Sequence, residues 1–209
     1  MNKKVIVFDV DGTLFDTKHG IIDALNFVLC RYGKKTIDKS EEDRYIGPSI
    51  KESLINLQGF KEINAQEATF LYRKVYTDKF IKETKAYPQL EESLSYLFEN
   101  GYVLGIATMK TQAQIDKLFE MFKIKQYFSV IKTAADDGSL TKTQMLQQVK
   151  RYNNDANRFY MVGDTTGDYK ASNEAGYHFV AADYGYGKIE KIENIYHIGL
   201  LSEIVTMTL

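Results

Sequence analysis

Asp9 and Asp11 stand two residues apart at the end of the short apolar run Val5-Ile6-Val7-Phe8, and Gly12 and Thr13 follow at once. Side chains repeat every two residues along an extended backbone, so both carboxylates lean to the same side. Two acids held together repel, and such a pair calls for a cation or a shared proton. The plainer reading of Asp11-Gly12 is a turn, since Asp-Gly is among the commonest turn dipeptides.

Further chemistry-bearing residues fall where strands end. Thr108 follows the apolar run Tyr102-Val103-Leu104-Gly105-Ile106-Ala107, Lys142 follows Leu140-Thr141, and Gly163-Asp164-Thr165-Thr166-Gly167-Asp168 follows Arg158-Phe159-Tyr160-Met161-Val162. Each has an ordinary alternative. Thr108 alone is a polar residue at a strand end, Lys142 alone a solvated lysine in a first helical turn, and Asp164 or Asp168 an N-cap or turn acid. Ligands of open α/β sheets bind beyond the carboxyl ends of the strands, so one parallel sheet would bring four acids, a lysine and a hydroxyl together there.

The elements that must do this positioning are legible from periodicity. Apolar residues at helical spacing mark a helix from Lys18 to about Tyr32, with Thr17 as cap and Gly33 as stop. A second start at Ser40 to Asp43 is broken by Gly47-Pro48, Ser49 caps a short helix ending before Gly59, and a further helical pattern runs from Asn64 to Glu83. After Pro88 helices and strands alternate: a helix through Leu90 to Phe98, the strand to Ala107, a helix Gln112 to Phe122, the strand Tyr127 to Ile131, a helix Thr141 to Tyr152, the strand to Val162, a helix Gly167 to Ala175, and the strand Tyr177 to Ala181. This βα alternation predicts an α/β fold, a doubly wound parallel sheet of the Rossmann-like kind. Residues 1–15 and 85–209 would form that core, and residues 16–84 a helical insert.

The four polar segments, in this order and register, resemble the four motifs of the haloacid dehalogenase-like hydrolase superfamily. Asp9-Val10-Asp11-Gly12-Thr13 is similar to the first, Thr108 in Ala107-Thr108-Met109-Lys110 to the second, Lys142 to the third and Gly163 to Asp168 to the fourth. The helical insert resembles the cap of the subgroup that contains phosphoglycolate phosphatases, pyrophosphatases and some nucleotidases. Met109 and Thr143 depart from the pattern, standing where many relatives have Asn and Pro. The resemblance implies Mg2+-dependent hydrolysis of a small phosphorylated metabolite through an aspartyl phosphate. Asp9 would be the nucleophile, Asp11 the proton donor and acceptor, and Thr108 and Lys142 the groups that hold the nonbridging oxygens. It places the metal site among Asp9, Asp11, Asp164 and Asp168, with the Val10 carbonyl as a ligand and Asp168 acting through metal waters or Lys142. Substrate contacts would come from Thr108, Met109, Lys110 and Lys142 in the core. In the cap, the loop Arg44 to Pro48 would face substrate, and His19, Arg44 and Lys51 are candidates for binding it. Haloacid dehalogenation lacks a use for Asp11. Phosphoglucomutase-type transfer would keep the same core residues, and a non-catalytic regulator would not need the reacting groups intact.

Composition narrows the partners. The 209 residues are 44% hydrophobic and 26% charged, with a formal net charge of -1, so nothing general draws the chain to nucleic acid or to an anionic membrane. No apolar run approaches membrane-spanning length, and the four apolar residues before Asp9 are too few for a secretory leader. Cys30 is the lone cysteine, and its place in an apolar helical pattern predicts a small core residue rather than a nucleophile. A cytoplasmic protein acting as monomer or homodimer is the expectation.

Overall fold

In the computed structural model, which describes residues 3–134, 140–187, 189 and 195–207, the chain gathers into two compact units, residues 1–16 with 86–209 and residues 17–85. The first unit is built on strands β1 (Lys4–Phe8), β4 (Val103–Ala107), β5 (Phe128–Lys132), β6 (Arg158–Gly163), β7 (His178–Ala182) and β8 (Tyr196–Ile198), with two-residue strands β2 (Phe15–Asp16) and β3 (Lys85–Ala86) where the chain passes between units. The six form one parallel sheet in the order β5-β4-β1-β6-β7-β8, interleaved with helices α4 (Leu90–Glu99), α5 (Gln112–Phe122), α6 (Lys142–Tyr152) and α7 (Thr166–Ala175). This is the doubly wound α/β core expected from the alternation.

Its logic is that of strands covered on both faces. Val5, Ile6, Val7 and Phe8 are fully buried, and so continuous rather than alternating apolar character is what β1 requires. Chain order reverses about β1: β4 and β5 lie on one side of it, β6, β7 and β8 on the other. That reversal is the switch point where loops diverge and leave a crevice. Register makes the crevice sharp, because Phe8 is level with Ile106 of β4 and with Val162 of β6.

The second unit carries α1 (Lys18–Arg31), α2 (Ile50–Asn56) and α3 (Glu62–Val75), with a 3-10 turn at Lys39–Tyr45 and, after α3, a π-helical turn at Tyr76–Phe80 and a 3-10 turn at Ile81–Glu83. Ser49 and Glu52 form a reciprocal cap for α2, as the sequence suggests. Thr17 precedes α1 without capping it through its side chain. The expected single helix from Asn64 to Glu83 is thus interrupted after Val75.

One further expectation changes. Cys30 is exposed, not in the core: the buried stripe of α1 ends on Val28 and Leu29, and the next residue, 100° further round, turns outward. β8 and the turn at Leu201–Val205 were not foreseen, because three residues give no readable period. Residues 135–139, within the segment expected to lead toward Lys142, lie outside the described residues.

Ile6 is wholly buried in the central strand, so truncation leaves an unfilled hole flanked by β4 and β6. Ile6→Ala is expected to cost about 2–5 kcal/mol, read as a lower urea midpoint at unchanged m-value.

Candidate functional site

Beyond the sheet's carboxyl edge, backbone bonds first fix where each acid sits. The amide of Asp9 donates to the Val162 carbonyl at 2.9 Å, which continues the β1–β6 ladder one residue past the strand. The chain then turns sharply: the amides of Thr13, Leu14 and Phe15 all donate to the Val10 carbonyl, at 3.4, 3.1 and 3.0 Å. A carbonyl so engaged has no lone pair left for a metal, which argues against the ligand role given to Val10. Gly12, at φ 75°, lies between the Asp164 carboxylate and the Tyr186 ring, where any Cβ would collide with both.

Helix starts deliver the other polar groups. Thr141 and Gln144 form a reciprocal cap that opens α6, which sets Lys142 at the first helical position. Thr165 and Asp168 form the corresponding cap of α7. The Thr165 amide and hydroxyl donate to Asp168 Oδ2 at 3.0 and 2.6 Å, leaving Oδ1 to accept from Lys142 Nζ at 2.5 Å. The same ammonium lies 2.9 Å from Asp9 Oδ1. Lys142 therefore bridges two acids from opposite ends of the sequence, and the ordinary cap reading of Asp168 holds alongside this second contact.

Asp9, Asp164 and Asp168 are buried and can bring one oxygen each within 4.8 Å of one another. Asp11, expected in the same metal set, is not in that group; its Oδ1 instead faces Lys110 Nζ at 2.9 Å, and the lysine side chain is 4% exposed. Lys110 was foreseen as a donor near the substrate, and this ion pair was not. Thr108 is fully buried, its hydroxyl accepting from the Lys110 amide at 3.2 Å, while Met109 packs against the apolar cluster that contains Val5, Val7 and Ala107.

The electrostatics follow from crowding. Burial pushes the Asp9 carboxyl up to about 8, opposed by Lys142 and reinforced by Asp168, Asp11 and Asp164. Burial and Asp168 raise Asp164 to about 6, against the pull of the Tyr186 and Gly187 amides and Lys142. For Lys142 burial disfavours charge, but Asp168 and Asp9 outweigh it and hold the ammonium firmly protonated.

Periodicity gave no hint of the loop after β7. The amides of Tyr186 and Gly187 donate to Asp164 Oδ2 at 2.8 and 3.3 Å, and the Tyr184 hydroxyl donates to the Thr13 carbonyl at 2.8 Å. The available signal was the alternation Tyr184-Gly185-Tyr186-Gly187 just past a strand: a Cβ on Gly185 or Gly187 would run into Asp164.

Within the helical unit each of the expected candidates has a local partner. His19 lies 3.9 Å from Asp23 and is exposed, Arg44 pairs with Glu41 at 2.5 Å, and Lys51 pairs with Glu62. Within the loop expected to face substrate, Tyr45 and Ile46 are buried, and the Tyr45 hydroxyl accepts from Gln58 Nε2 at 2.5 Å.

A model of the haloacid dehalogenase-like hydrolase family matches residues 6–182. The chain belongs to that family. The hydrolase is 28% identical over 194 residues to a phosphoglycolate phosphatase of Mesorhizobium japonicum, covering 89% of this chain and 85% of the relative. It is 27% identical over 189 residues to a 5'-nucleotidase of Pseudomonas aeruginosa, covering 90% and 86%. A solved structure from Clostridium acetobutylicum, described as a predicted phosphatase, superposes with TM-score 0.89 at 27% identity over 99% of this chain and 98% of that one. Family and relatives together support a phosphatase. Among the described residues no helix of the hydrolase is long and apolar enough to cross a membrane.

The three clustered acids suit a hard divalent cation, which selects carboxylate oxygens and needs them ionised. A carboxyl whose pKa is raised still holds its proton at pH 7 if that value lies above 7, as for Asp9. A divalent cation held there would have to displace it, so affinity for such a cation is expected to rise with pH from about 6 to 8, between the values of Asp164 and Asp9, and level off above. Calorimetric titrations at pH 7 in two buffers of different ionisation enthalpy are expected to show proton release that disappears by pH 9.

Proposed function

We propose that the hydrolase is a Mg2+-dependent phosphatase that hydrolyses a small phosphorylated metabolite through an aspartyl phosphate on Asp9. The observation that carries this reading is the junction of Asp9 with Lys142 at 2.9 Å inside a buried group of three acids. It combines a nucleophile, a fixed cation for phosphate oxygens and a place for a metal. Asp9 and Asp164 would hold the ion, while Asp168, whose Oδ1 accepts from the Lys142 ammonium, serves by orienting that lysine. When bound, Mg2+ supplies the positive charge that lets an anionic nucleophile approach an anionic phosphate.

The chain's own groups divide the work. The Asp9 carboxylate forms a bond to phosphorus as the ester P–O bond breaks, and Asp11 gives its proton to the departing oxygen. Water then attacks the phosphorus of the acyl phosphate, Asp11 takes the proton, and Asp9 leaves as carboxylate with inorganic phosphate released. Lys110, paired with Asp11, aims that carboxyl, and Thr108 and Lys142 hold the nonbridging oxygens whose charge must be stabilised. The names of the relatives favour phosphoglycolate or a nucleoside monophosphate as substrate, with pyrophosphate a third arm of the assay. The helical unit would act as a cap that sets specificity, and one reduced cysteine accords with a cytoplasmic setting.

The test is phosphate release with Mg2+ over these esters. Asp9→Asn is expected to abolish turnover while keeping the fold. Asp11→Asn should lose about 10²–10⁴ in rate on an alkyl phosphate and far less on nitrophenyl phosphate, whose leaving group hardly needs a proton. Equal losses on both substrates would remove Asp11 from the proton-transfer role.

For the cap, Arg44→Ala or Lys51→Ala is expected to raise KM for the best ester by about tenfold to a hundredfold with kcat kept, the scale of a lost charge-assisted contact. Steady-state kinetics on that ester and on nitrophenyl phosphate decide it. Unchanged KM in both variants would make them surface charges paired only with Glu41 and Glu62.

A further inference from the structure

We propose that the loop Tyr184–Gly187 couples the acid cluster to both strands by which the chain leaves and re-enters the core unit, with Tyr186 as the positioning residue at its centre. This rests on the metal-binding reading of Asp164 given above.

Tyr186 is bonded at both ends. Its amide donates to Asp164 Oδ2 at 2.8 Å, and its hydroxyl donates to Asp16 Oδ1 at 2.7 Å. Asp16 is the last residue of the core unit before the helical unit begins at Thr17. Tyr184 sets its ring edge-on against that of Tyr87, the residue after the returning strand β3, at 4.7 Å and 66°. The Tyr184 hydroxyl holds the Thr13 carbonyl, and the Tyr87 amide donates to the Leu14 carbonyl at 3.2 Å. Four consecutive residues thus touch Asp164, the outgoing strand and the incoming one.

The base of the loop is fixed independently of these contacts. The Asp183 amide donates to the Ile198 carbonyl at 2.9 Å, and His197 Nδ1 lies 2.9 Å from the Asp183 carboxylate. Gly185 donates to the Ala182 carbonyl at 3.0 Å, closing a tight turn that only small residues can make against Asp164. With the base anchored, the amides that face Asp164 and the hydroxyls that grip the strands belong to one arrangement of the loop. A ligand that favours a fixed Asp164 favours the same arrangement at Asp16 and Tyr87, and the linkage is reciprocal.

The test measures amide hydrogen exchange of segments 10–18 and 84–90 with and without Mg2+, beside calorimetric Mg2+ binding, in wild type, Tyr186→Phe and Tyr184→Phe. Tyr186→Phe keeps the ring and the amide and removes the hydroxyl, and with it the bond to Asp16. Expected are Mg2+-dependent slowing of exchange in both wild-type segments by about tenfold, a middle value for coupling between sites, and its loss in Tyr186→Phe. Mg2+ should bind Tyr186→Phe about tenfold more weakly, as for other partners that orient a metal ligand. Tyr184→Phe should lose the slowing near Thr13, and protection of β1 and β6 reports that each variant is folded. Wild type that binds Mg2+ with no change in exchange overturns the coupling alone, as does a Tyr186→Phe response equal to wild type. Wild type that binds no Mg2+ overturns the metal reading and this inference with it.

Discussion

One partly buried ammonium set between two buried acids, Lys142 against Asp9 and Asp168, is the contact around which the site is arranged. Removing one member of such a group leaves an uncompensated charge in a poor solvent, at a cost of about 3–5 kcal/mol. The partners come from the first strand, from the start of α6 and from the start of α7, so the bridge forms only once the sheet has closed around β1. The site is therefore a test of the whole fold, and its acids are tolerable only in that context.

Local devices carry the precision. Three helices on the core unit begin with reciprocal caps, at Thr111, Thr141 and Thr165, and each fixes the angle at which its helix departs. Two of the three also place chemistry, since the first residue of α6 is the bridging lysine and the N3 residue of α7 is the acid it meets. A cap worth about 1 kcal/mol to a helix here also sets the direction of a side chain. Lys110 extends the pattern: Thr108 accepts from its amide, and its ammonium reaches Asp11.

The strands from Val5, Val103 and Arg158 were legible because buried parallel strands are short, apolar and bounded by turn residues, and the alternation with helices implied their common direction. Asp9, Asp164, Lys142 and Asp168 could be grouped in advance for the same reason: each follows a strand or opens a helix. What could not be read was set by tertiary approach. The Lys110–Asp11 pair depends on where a side chain points after a turn, and the grip of Tyr184 and Tyr186 on residues 13–16 spans some 170 positions of sequence. Cys30 was misplaced because apolar spacing marks a helix face only to within a residue, and the pairing of Arg44 and Lys51 with their own acidic neighbours leaves no signal in their spacing.

The two margins of the sheet have a consequence for how the chain keeps to itself. β8 is three residues long, and β5, the opposite margin, meets β4 with a register slip between Leu104 and Gly105 that bends the ladder. Lys132 closes β5 with its ammonium over the Tyr152 ring, 4.6 Å from the centroid, placing a charge at the end of that edge. An open sheet invites another strand wherever a long, flat row of amides stands unpaired, and short, bulged or charged edges discourage it. A parallel sheet also forms late, since its contacts are far apart in sequence. The same abrupt margins that end the sheet thus guard against edge-to-edge aggregation while the acids at its centre are still being brought together.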